Sequence, residues 1–437
     1  MMCPKAEQIH GVLSNHMLAD GIPLVFDTKK SHDNFFVDSI DSRAYLDMFS
    51  FFASGALGHN HPVFSRDEVR EELLEAAIVK PSLSDVYTES MAEFVEEVAS
   101  VTPKAMPYHF FVEGGALAVE NALKAAFDWK TRKNIEAGIG EKGTQILHFR
   151  HAFHGRSGYT LALTNTQSIE KTQYFPKFRW PRVNSPAIEF PITEESMAQT
   201  IENEQKTLEE IKQCFLDNPD DIAAVLIEPI QGEGGDRHFR PEFFVALKEL
   251  TLEEDVLLIF DEVQTGLGIT GRWWCHEHFD VRPDLMVYGK KMQVGGFCST
   301  NRINEIDSVF KVSSRINSTF GGNLCDMVRG KWIIRTMKEE SLVENSHTQG
   351  ELLMRDIVQW AEESGKVFRV RGRGLMIAFD LQDKETRDTF LKVSLEEEGL
   401  LLLSCGECSI RFRPHLVFND SVRELLMNSL EKVIQKI

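Results

Sequence analysis

The chain has 437 residues, of which 42% are hydrophobic and 26% charged, so it can build a large core and is too apolar for an intrinsically disordered protein. Its 29 glycines and 15 prolines are too few for a fibrous or low-complexity protein. Forty-eight basic residues against 67 acidic ones give a net charge of −19, which argues against binding to the phosphates of nucleic acids.

The cysteines and the apolar pattern bear on the compartment. Seven cysteines, an odd number, are scattered along the chain, which favours free thiols in a reducing compartment over a disulfide framework. The N-terminal residues form no continuous apolar stretch, and no run approaches the roughly 18 apolar residues of a membrane-spanning helix. We therefore expect a cytoplasmic protein.

In chain order, the first predicted elements are two alternating strands around a turn in residues 34–50. The middle of the chain then alternates apolar runs with helical patterns such as 117–132 and 196–217. The apolar runs predict buried strands at residues 144–149, 223–230, 256–263 and 284–289. Continuous apolar strands separated by helices are typical of a mostly parallel sheet with helices on both faces.

The C-terminal third has a different pattern. Residues 323–363 predict one long helix, which is followed by a strand region at 370–381, a helix, two further strands and a final helix. We expect an α/β protein with a large ligand-binding domain over residues 60–322. A smaller α+β domain would consist of residues 1–59 and 323–437.

Two generic motifs predict little. The segment GLGITG (266–271) matches the GxGxxG pattern of dinucleotide sites, but DEVQT separates it from the preceding strand and WW follows where a helix should begin. Cys405 and Cys408 form a single CxxC without a second pair, so we interpret them as ordinary thiols.

Histidines occur in two groups, but neither has a convincing metal-binding spacing. A turn breaks the strand spacing of the first group, and adjacent positions splay the side chains of the second. We interpret them as structural histidines and predict no metal site. The two groups are His148, His151 and His154, and His276 and His278.

A more coherent set of residues lies at element ends. Gly114 and Gly115 precede a strong helical pattern, and glycines at a helix start let backbone N–H groups approach an anion such as phosphate. Asp261 ends a strand that should be buried on both faces, so its carboxylate needs a cationic partner. Lys290 and Lys291 follow the next strand, where a lysine can act as a Schiff-base nucleophile.

An anion-binding helix start, a buried aspartate and a strand-end lysine are the three features that a pyridoxal phosphate site requires. Each feature also has an ordinary structural explanation when it is taken alone. The glycines could form a plain turn, Asp261 could cap a helix, and Lys290 could be a solvated surface residue.

The sequence resembles the class III (ω-) aminotransferases, which are pyridoxal-phosphate enzymes of fold type I. The resemblance rests on IFDEVQTGLGITGRWW (259–274), GKK (289–291), GHNHP (58–62) and IEPIQGEGG (227–235), and it runs from about residue 20 to the end. Within the family, residues 110–132, 151–166 and 409–418 look most like the lysine 6-aminotransferase branch. The mitochondrial 4-aminobutyrate aminotransferases are near relatives.

The resemblance implies a cofactor site. Lys290 would form the Schiff base, with Lys291 as the rival, and Asp261 would keep the pyridinium nitrogen protonated. Gln264 would contact the phenolic oxygen, and Phe153 would stack on the ring. The other residues that the resemblance assigns to cofactor binding are Gly115 and Ala116 (phosphate, through backbone N–H groups), Glu228, and Thr319, whose hydroxyl would come from the neighbouring subunit of a homodimer.

The resemblance also implies a substrate site for two chemically different ligands. Arg156 would bind the carboxylate far from the reacting amine, and Arg411 the carboxylate beside the reacting carbon. Glu233 would pair with Arg411 while lysine reacts and move aside for 2-oxoglutarate. Alternatively, Glu233 and Arg413 form an ordinary structural ion pair.

The activity that the resemblance implies is transfer of the ε-amino group of L-lysine to 2-oxoglutarate, which gives 2-aminoadipate 6-semialdehyde and L-glutamate. Ornithine, 4-aminobutyrate or another ω-amine remains an alternative donor. Another pyridoxal-phosphate reaction, such as racemisation or decarboxylation, and a catalytically silent binding or assembly subunit are further alternatives. Two departures from the family pattern are GGAL, which lacks the hydroxyl of the commoner SGTEA, and RPHL in place of the commoner PPL, whose His415 is expected to alter the substrate entrance.

Overall fold

The computed structural model describes residues 5–81 and 85–437. The strands within those ranges are β1 Phe35–Val37, β2 Ala44–Asp47, β3 Tyr108–Val112, β4 Gln145–Phe149, β5 Arg182–Val183, β6 Ile222–Ile227, β7 Leu257–Asp261, β8 Leu285–Tyr288, β9 Gly295–Ser299, β10 Phe368–Arg373, β11 Met376–Asp380, β12 Leu400–Leu401, β13 Leu403–Cys405 and β14 Ser409–Phe412.

The helices within the same ranges are α1 Ile9–Ser14, α2 Asp67–Val79, α3 Glu89–Val101, α4 Gly115–Glu136, α5 Gly158–Leu163, α6 Glu194–Asp217, α7 Pro241–Glu253, α8 Leu324–Glu339, α9 Leu342–Ser364, α10 Lys384–Glu396 and α11 Asp420–Ile434. A left-handed helical turn, Ser50–Ala53, follows β2, and all four of its residues have positive φ.

A seven-stranded sheet forms the centre of the fold, in the order β3-β9-β8-β7-β6-β4-β5. The β8-β7-β6-β4-β5 part is parallel, and β9 runs antiparallel to both of its neighbours. The prediction of a mostly parallel sheet is confirmed, and the four predicted central strands correspond to β4, β6, β7 and β8. The glycine-rich β9 gave no strand signal in the sequence.

The central strands are apolar throughout because helices cover both faces of the sheet. Alternate residues of β7 point to opposite sides: Leu257 and Ile259 pack in a cluster with the alanine-rich face of α4. Leu258 and Phe260 lie in a second cluster with α7. This arrangement confirms the predicted α/β layers.

Two smaller sheets combine strands from both ends of the chain. One has the order β1-β2-β12, and the other is an antiparallel sheet with the order β10-β11-β14-β13. The division into residues 60–322 and the two terminal parts stays a proposal. Lys331 of α8 forms ion pairs with Glu72 of α2 and Glu93 of α3, so the C-terminal part also packs firmly on the preceding region.

The prediction of one long helix over residues 323–363 is wrong. The region forms two helices, α8 and α9, because Ser341 adopts a left-handed conformation with a φ of +53° at the N-terminus of α9. The break falls in the polar stretch KEES, which contains neither glycine nor proline, so its composition gave no signal for a helix end. None of the helices in the described residues combines the length and the apolar composition needed to cross a membrane.

Helix α9 approaches the turn between β10 and β11 so closely that a side chain does not fit. A methyl group on Gly350 would overlap the backbone of Gly374. We therefore expect Gly350→Ala to lower the free energy of unfolding by ~1–3 kcal/mol through overpacking, although alanine favours a helix over glycine by ~1 kcal/mol.

Chemical denaturation of the variant measures this effect. Gly11→Ala in α1 is the matched control, since a methyl group there would meet no atom within 4 Å. A Gly350→Ala variant that is as stable as the wild type would contradict the close packing.

Candidate active site

Parallel strands of the central sheet end side by side, and their last residues bring the candidate side chains together. Asp261, the last residue of β7, lies opposite Val287 of β8, three residues before Lys290. Glu228 directly follows the last residue of β6, the other neighbour of β7. The carboxyl ends of parallel strands therefore place these groups in one crevice, where α/β proteins bind their ligands.

The start of α4 lies against the same strand ends. A methyl group on Gly289 would be 3.4 Å from the Cα atom of Gly115, and a methyl group on Gly115 would be 2.8 Å from Val263. The backbones of Gly115 and Gly289 thus lie against each other, with the Val263 side chain packed on both. The glycines at positions 115 and 289 make this close approach possible.

The N-terminus of α4 has the properties of an anion site. Its N-cap residue, Gly114, has a φ of +81°, offers no side chain to the backbone N–H groups, and has open space on the side where a Cβ atom would lie. A helix of 22 residues directs its positive end at this space. The predicted phosphate position, with Gly115 and Ala116 in the first turn, lies there.

Asp261 has a partner that the sequence analysis missed. His154 Nδ1 lies 2.8 Å from Asp261 Oδ2, and both side chains are buried. The Oδ1 atom of Asp261 accepts a hydrogen bond from the backbone N–H of Val263. We interpreted His154 as a structural histidine, but the structure places it on the carboxylate at the centre of the site. A carboxylate-to-histidine contact across 107 residues has no local sequence signal.

Glu228 organises two of the loops that surround the crevice. Its carboxylate oxygens accept hydrogen bonds from the backbone N–H groups of Phe153, at 2.9 Å, and Gly232, at 3.2 Å. Burial and the neighbouring charge of Asp261 raise the pKa of Glu228 well above its usual value. Because Phe153 and Gly232 belong to different loops, Glu228 fixes both loops relative to the sheet.

The two adjacent lysines have different environments. Lys290 Nζ donates a hydrogen bond to the carbonyl of Phe52, at 3.0 Å. Burial, together with Arg411 and Arg413, lowers the pKa of Lys290 to about 8. Lys291 is fully buried, and its amine has no hydrogen-bond partner within the described part of the chain. Of the two, Lys290 is the one whose amine reaches the crevice.

Arginine side chains from the end of β14 and the following residue converge on Gln264. Arg413 Nε and Nη2 donate to the amide oxygen of Gln264 at 3.0 and 2.9 Å, and Arg411 Nη1 lies 3.4 Å from the same oxygen. Arg413 also forms a buried ion pair with Asp236, with Nη1 and Oδ2 3.0 Å apart. The suggested Arg413–Glu233 ion pair is therefore wrong, since Asp236 is the partner of Arg413.

Glu233 instead pairs with Arg411, as the resemblance implies. Arg411 Nη2 lies 2.7 Å from Glu233 Oε2, and Lys171 Nζ lies 2.8 Å from Glu233 Oε1. Arg411 is buried, while Glu233 and Lys171 are partly exposed. The sequence analysis missed Lys171, which lies in a loop without a motif.

Three other predicted residues lie in exposed or partly exposed segments. Phe153 and Arg156 belong to the loop after β4, the same loop that carries His154, and Arg156 is exposed. Arg156 forms no ion pair with the residues described in the structure. Thr319 is exposed, in the segment between β9 and α8.

The weaker motifs take structural roles. The segment 266–271 forms turns and is followed by a short 3-10 helix at Cys275–His278, so no helix follows it as a dinucleotide site requires. Glu262 binds the start of this 3-10 helix, since its carboxylate accepts hydrogen bonds from the backbone N–H groups of Cys275 and His276. Cys405 and Cys408 are both free thiols.

A buried cluster of Asp47, His59 and His415 packs next to the left-handed turn Ser50–Ala53. Asp47 Oδ2 is 2.8 Å from His59 Nε2 and 3.3 Å from His415 Nε2, and its Oδ1 accepts the backbone N–H groups of Phe49 and Ser50. His415, which the sequence analysis expected to alter the substrate entrance, is buried within this cluster. The cluster anchors the left-handed turn whose Phe52 carbonyl binds Lys290.

Comparison with known proteins agrees with this geometry. The family model "Aminotransferase class-III" matches residues 18–434. The chain belongs to the class-III aminotransferases.

Close relatives cover nearly the whole chain. L-lysine-epsilon aminotransferase of Mycobacterium tuberculosis is 49% identical over 420 residues, which are 95% of this chain and 92% of the relative. L-lysine-epsilon aminotransferase of Amycolatopsis lactamdurans is 45% identical, over 96% of this chain and 93% of the relative. The solved structure of lysine aminotransferase from M. tuberculosis in the internal aldimine form has a TM-score of 0.96 at 46% identity and covers 99% of this chain and 100% of that one.

The buried histidine of β4 makes stability depend on pH. His148 Nε2 accepts a hydrogen bond from Arg182 Nε at 3.0 Å, and burial, with Arg182 nearby, lowers the pKa of His148 to about 3. The unfolded chain therefore binds a proton below pH ~6.5 that the folded protein does not bind. As the pH is lowered from ~6.5 to ~4, we expect the free energy of unfolding of the wild type to fall by up to ~1.4 kcal/mol more per pH unit than that of His148→Gln. Glutamine keeps a hydrogen-bond acceptor for Arg182 but does not titrate.

Denaturant unfolding of both proteins across this pH range measures the difference. Equal pH dependence of the wild type and His148→Gln would show that His148 titrates normally in the folded state.

Proposed function

We propose that the protein transfers the ε-amino group of L-lysine to 2-oxoglutarate, with pyridoxal phosphate as cofactor, and releases 2-aminoadipate 6-semialdehyde and L-glutamate. The observation that carries the proposal is the buried guanidinium of Arg411, which is neutralised by Glu233 in the crevice of Lys290 and Asp261. Such a site accepts an amine end without a carboxylate and can also accept an α-keto acid once Glu233 moves. The similarity to lysine-epsilon aminotransferases supports this donor over ornithine and 4-aminobutyrate.

The residues of the crevice fit pyridoxal phosphate. The uncapped N-terminus of α4 faces open space and suits a phosphate dianion. Asp261 and its partner His154 supply a buried carboxylate for a pyridinium nitrogen, and Lys290 supplies an amine whose pKa is lowered to about 8. When bound, the cofactor supplies an aldehyde that combines with amines and a ring that accepts the electrons of a deprotonated carbon.

Each cofactor-binding residue then has a defined task. Gly115 and Ala116 would donate backbone N–H groups to the phosphate, which replaces the missing hydroxyl of the GGAL segment. Gln264 would donate from its amide nitrogen to the phenolic oxygen, since its amide oxygen already accepts from Arg413. Phe153 would cover one face of the ring, and Glu228 holds the Phe153 backbone in place.

Lys290 is the proton-transfer residue. Its neutral amine would bond to the cofactor, and the amine freed by the substrate would remove a proton from the Cε atom of lysine. Asp261, held by His154, would keep the pyridinium nitrogen protonated during this transfer. The positive charges of Arg411 and Arg413 favour the neutral form of Lys290 that both steps require.

Two arginines would orient the substrates. Arg156, exposed and without an ion pair among the described residues, would bind the α-carboxylate of lysine or the γ-carboxylate of 2-oxoglutarate. Arg411 would bind the α-carboxylate of 2-oxoglutarate. The guanidinium has capacity for it, because its Nε is buried without a hydrogen-bond partner in the described residues.

We also propose a homodimer in which Thr319 of the neighbouring subunit donates its hydroxyl to the cofactor phosphate. Thr319 and the adjacent Phe320 are exposed in one segment of the chain, as an interface contribution requires. In this proposal, residues 60–322 form the cofactor-binding domain, and residues 1–59 and 323–437 form the smaller domain.

The adjacent lysines allow a direct test of the nucleophile. We expect Lys290→Ala to abolish turnover of lysine and 2-oxoglutarate, since the variant lacks the amine proposed to move the proton. Lys291→Met is the matched control, and it should keep turnover because it only removes a buried amine without a partner among the described residues. Steady-state assays of glutamate formation measure both variants.

The opposite result, a fully active Lys290→Ala variant and an inactive Lys291→Met variant, would show that Lys291 forms the Schiff base instead.

The lowered pKa of Lys290 predicts a pH profile for cofactor loading. Only the neutral amine attacks an aldehyde, so the rate constant for binding of pyridoxal phosphate to the apoprotein should rise with pH and level off above about 8. Stopped-flow absorbance between pH ~6 and pH ~10 measures this rate constant. A rate that still rises steeply at the upper end of this range would indicate an ordinary lysine, with a pKa near ~10.4.

A further inference from the structure

Glu233 lies between two cationic side chains, one on each carboxylate oxygen. Oε2 accepts from Arg411 Nη2 at 2.7 Å, and Oε1 accepts from Lys171 Nζ at 2.8 Å. The two cations differ in exposure: the side chain of Arg411 is 3% exposed and that of Lys171 is 28% exposed. Glu233 thus joins an inner cation, on the substrate side, to an outer cation near solvent.

The proposed function requires Glu233 to leave Arg411 when the α-carboxylate of 2-oxoglutarate arrives. A partly buried carboxylate that is left without any cation destabilises the protein. Burial alone would raise the pKa of Glu233, but Arg411 and Lys171 outweigh it and keep the pKa below its usual value. Glu233 is therefore charged while it pairs with Arg411, and when it leaves Arg411 the contact with Lys171 is the one that still stabilises this charge.

The surroundings of Lys171 suit this role. Its ammonium lies 5.9 Å from the centre of the Phe153 ring, so it stays beside the crevice by a cation–π contact that does not involve Glu233. It ends the short 3-10 helix Ile169–Lys171, in a surface loop. The main chain of Glu233 is also fixed, because its carbonyl accepts the backbone N–H of Gly406 at 3.0 Å. Only the Glu233 side chain has to move, from its position between the two cations to one that contacts Lys171 alone.

We infer that Lys171 is a specificity-determining residue that holds Glu233 when 2-oxoglutarate occupies Arg411. The inference rests on the proposed function. Lys171 lowers the cost of displacing Glu233 and thereby acts on the acceptor half-reaction. In the lysine half-reaction Glu233 remains on Arg411, and Lys171 adds little to a pair that is already formed.

The test separates the two half-reactions by stopped-flow absorbance. The donor half-reaction uses protein loaded with pyridoxal phosphate and mixed with L-lysine. The acceptor half-reaction uses apoprotein loaded with pyridoxamine phosphate and mixed with 2-oxoglutarate, so it does not depend on lysine as a donor. The variants are Lys171→Met, the conservative Lys171→Arg, and the control Lys177→Met, which removes an exposed lysine of the same loop that contacts the Thr172 carbonyl and not Glu233.

For Lys171→Met we expect the half-saturating concentration of 2-oxoglutarate to rise by about five- to tenfold, the range of a partly exposed charge pair, while the lysine half-reaction changes less than about twofold. The maximal rate of the acceptor half-reaction should stay within about twofold of the wild type. Lys171→Arg should restore most of the affinity, and Lys177→Met should match the wild type. Thermal unfolding of each variant checks that the fold is retained.

A Glu233→Gln background shows whether Lys171 acts through Glu233. In that background, adding Lys171→Met should change the acceptor half-reaction no further, because no charge remains to be held. If Lys171→Met weakens 2-oxoglutarate binding in the Glu233→Gln background as much as it does in the wild type, Lys171 binds the substrate directly and the inference is overturned. A Lys171→Met variant that affects both half-reactions equally or neither would also overturn the inference. If the wild type does not react with lysine, but Lys171→Met still weakens 2-oxoglutarate binding as expected, only the assignment of lysine as donor is overturned.

Discussion

The concentration of positive charge at one edge of the sheet is the constraint on which the site depends. Lys290, Arg411 and Arg413 lie close enough that the two arginines help to lower the pKa of Lys290 to about 8. The proposed role of Lys290 requires a neutral amine, which the neighbouring positive charges favour. These charges would also destabilise the fold if they were left uncompensated. Asp236 and Glu233 therefore pair with Arg413 and Arg411. In the proposed function only the second pair has to open during turnover.

The two ion pairs differ in a way that matches these roles. Arg413 and Asp236 are both fully buried, and Arg413 also binds Gln264, which favours one fixed arrangement. Glu233 is a quarter exposed and contacts a second cation, Lys171, which favours exchange between two arrangements. Burial and the number of partners thus separate a structural ion pair from a movable one. The proposed site for both an amine and a keto acid uses one fixed ion pair and one movable ion pair.

Much of the fold and part of the site could be predicted from the sequence. The central strands are continuous apolar runs, and Asp261 and Lys290 follow directly from their positions at strand ends. The residues that were missed, His154 as the partner of Asp261 and Lys171 as the partner of Glu233, act across 107 and 62 positions of the chain. Such contacts depend on how loops pack above the sheet, and no local pattern encodes them. The break at Ser341 was missed for a related reason, because its polar neighbours are compatible with a continuous helix.

The central claim, that L-lysine is the amino donor, is tested most directly by visible absorption. The purified protein, loaded with pyridoxal phosphate, is titrated in turn with L-lysine, L-ornithine and 4-aminobutyrate. The account predicts that lysine bleaches the yellow form at the lowest concentration and that 2-oxoglutarate restores it. If ornithine or 4-aminobutyrate bleaches the yellow form at a lower concentration than lysine does, the donor assignment is contradicted. If the protein does not turn yellow with pyridoxal phosphate, the proposed enzyme activity is contradicted.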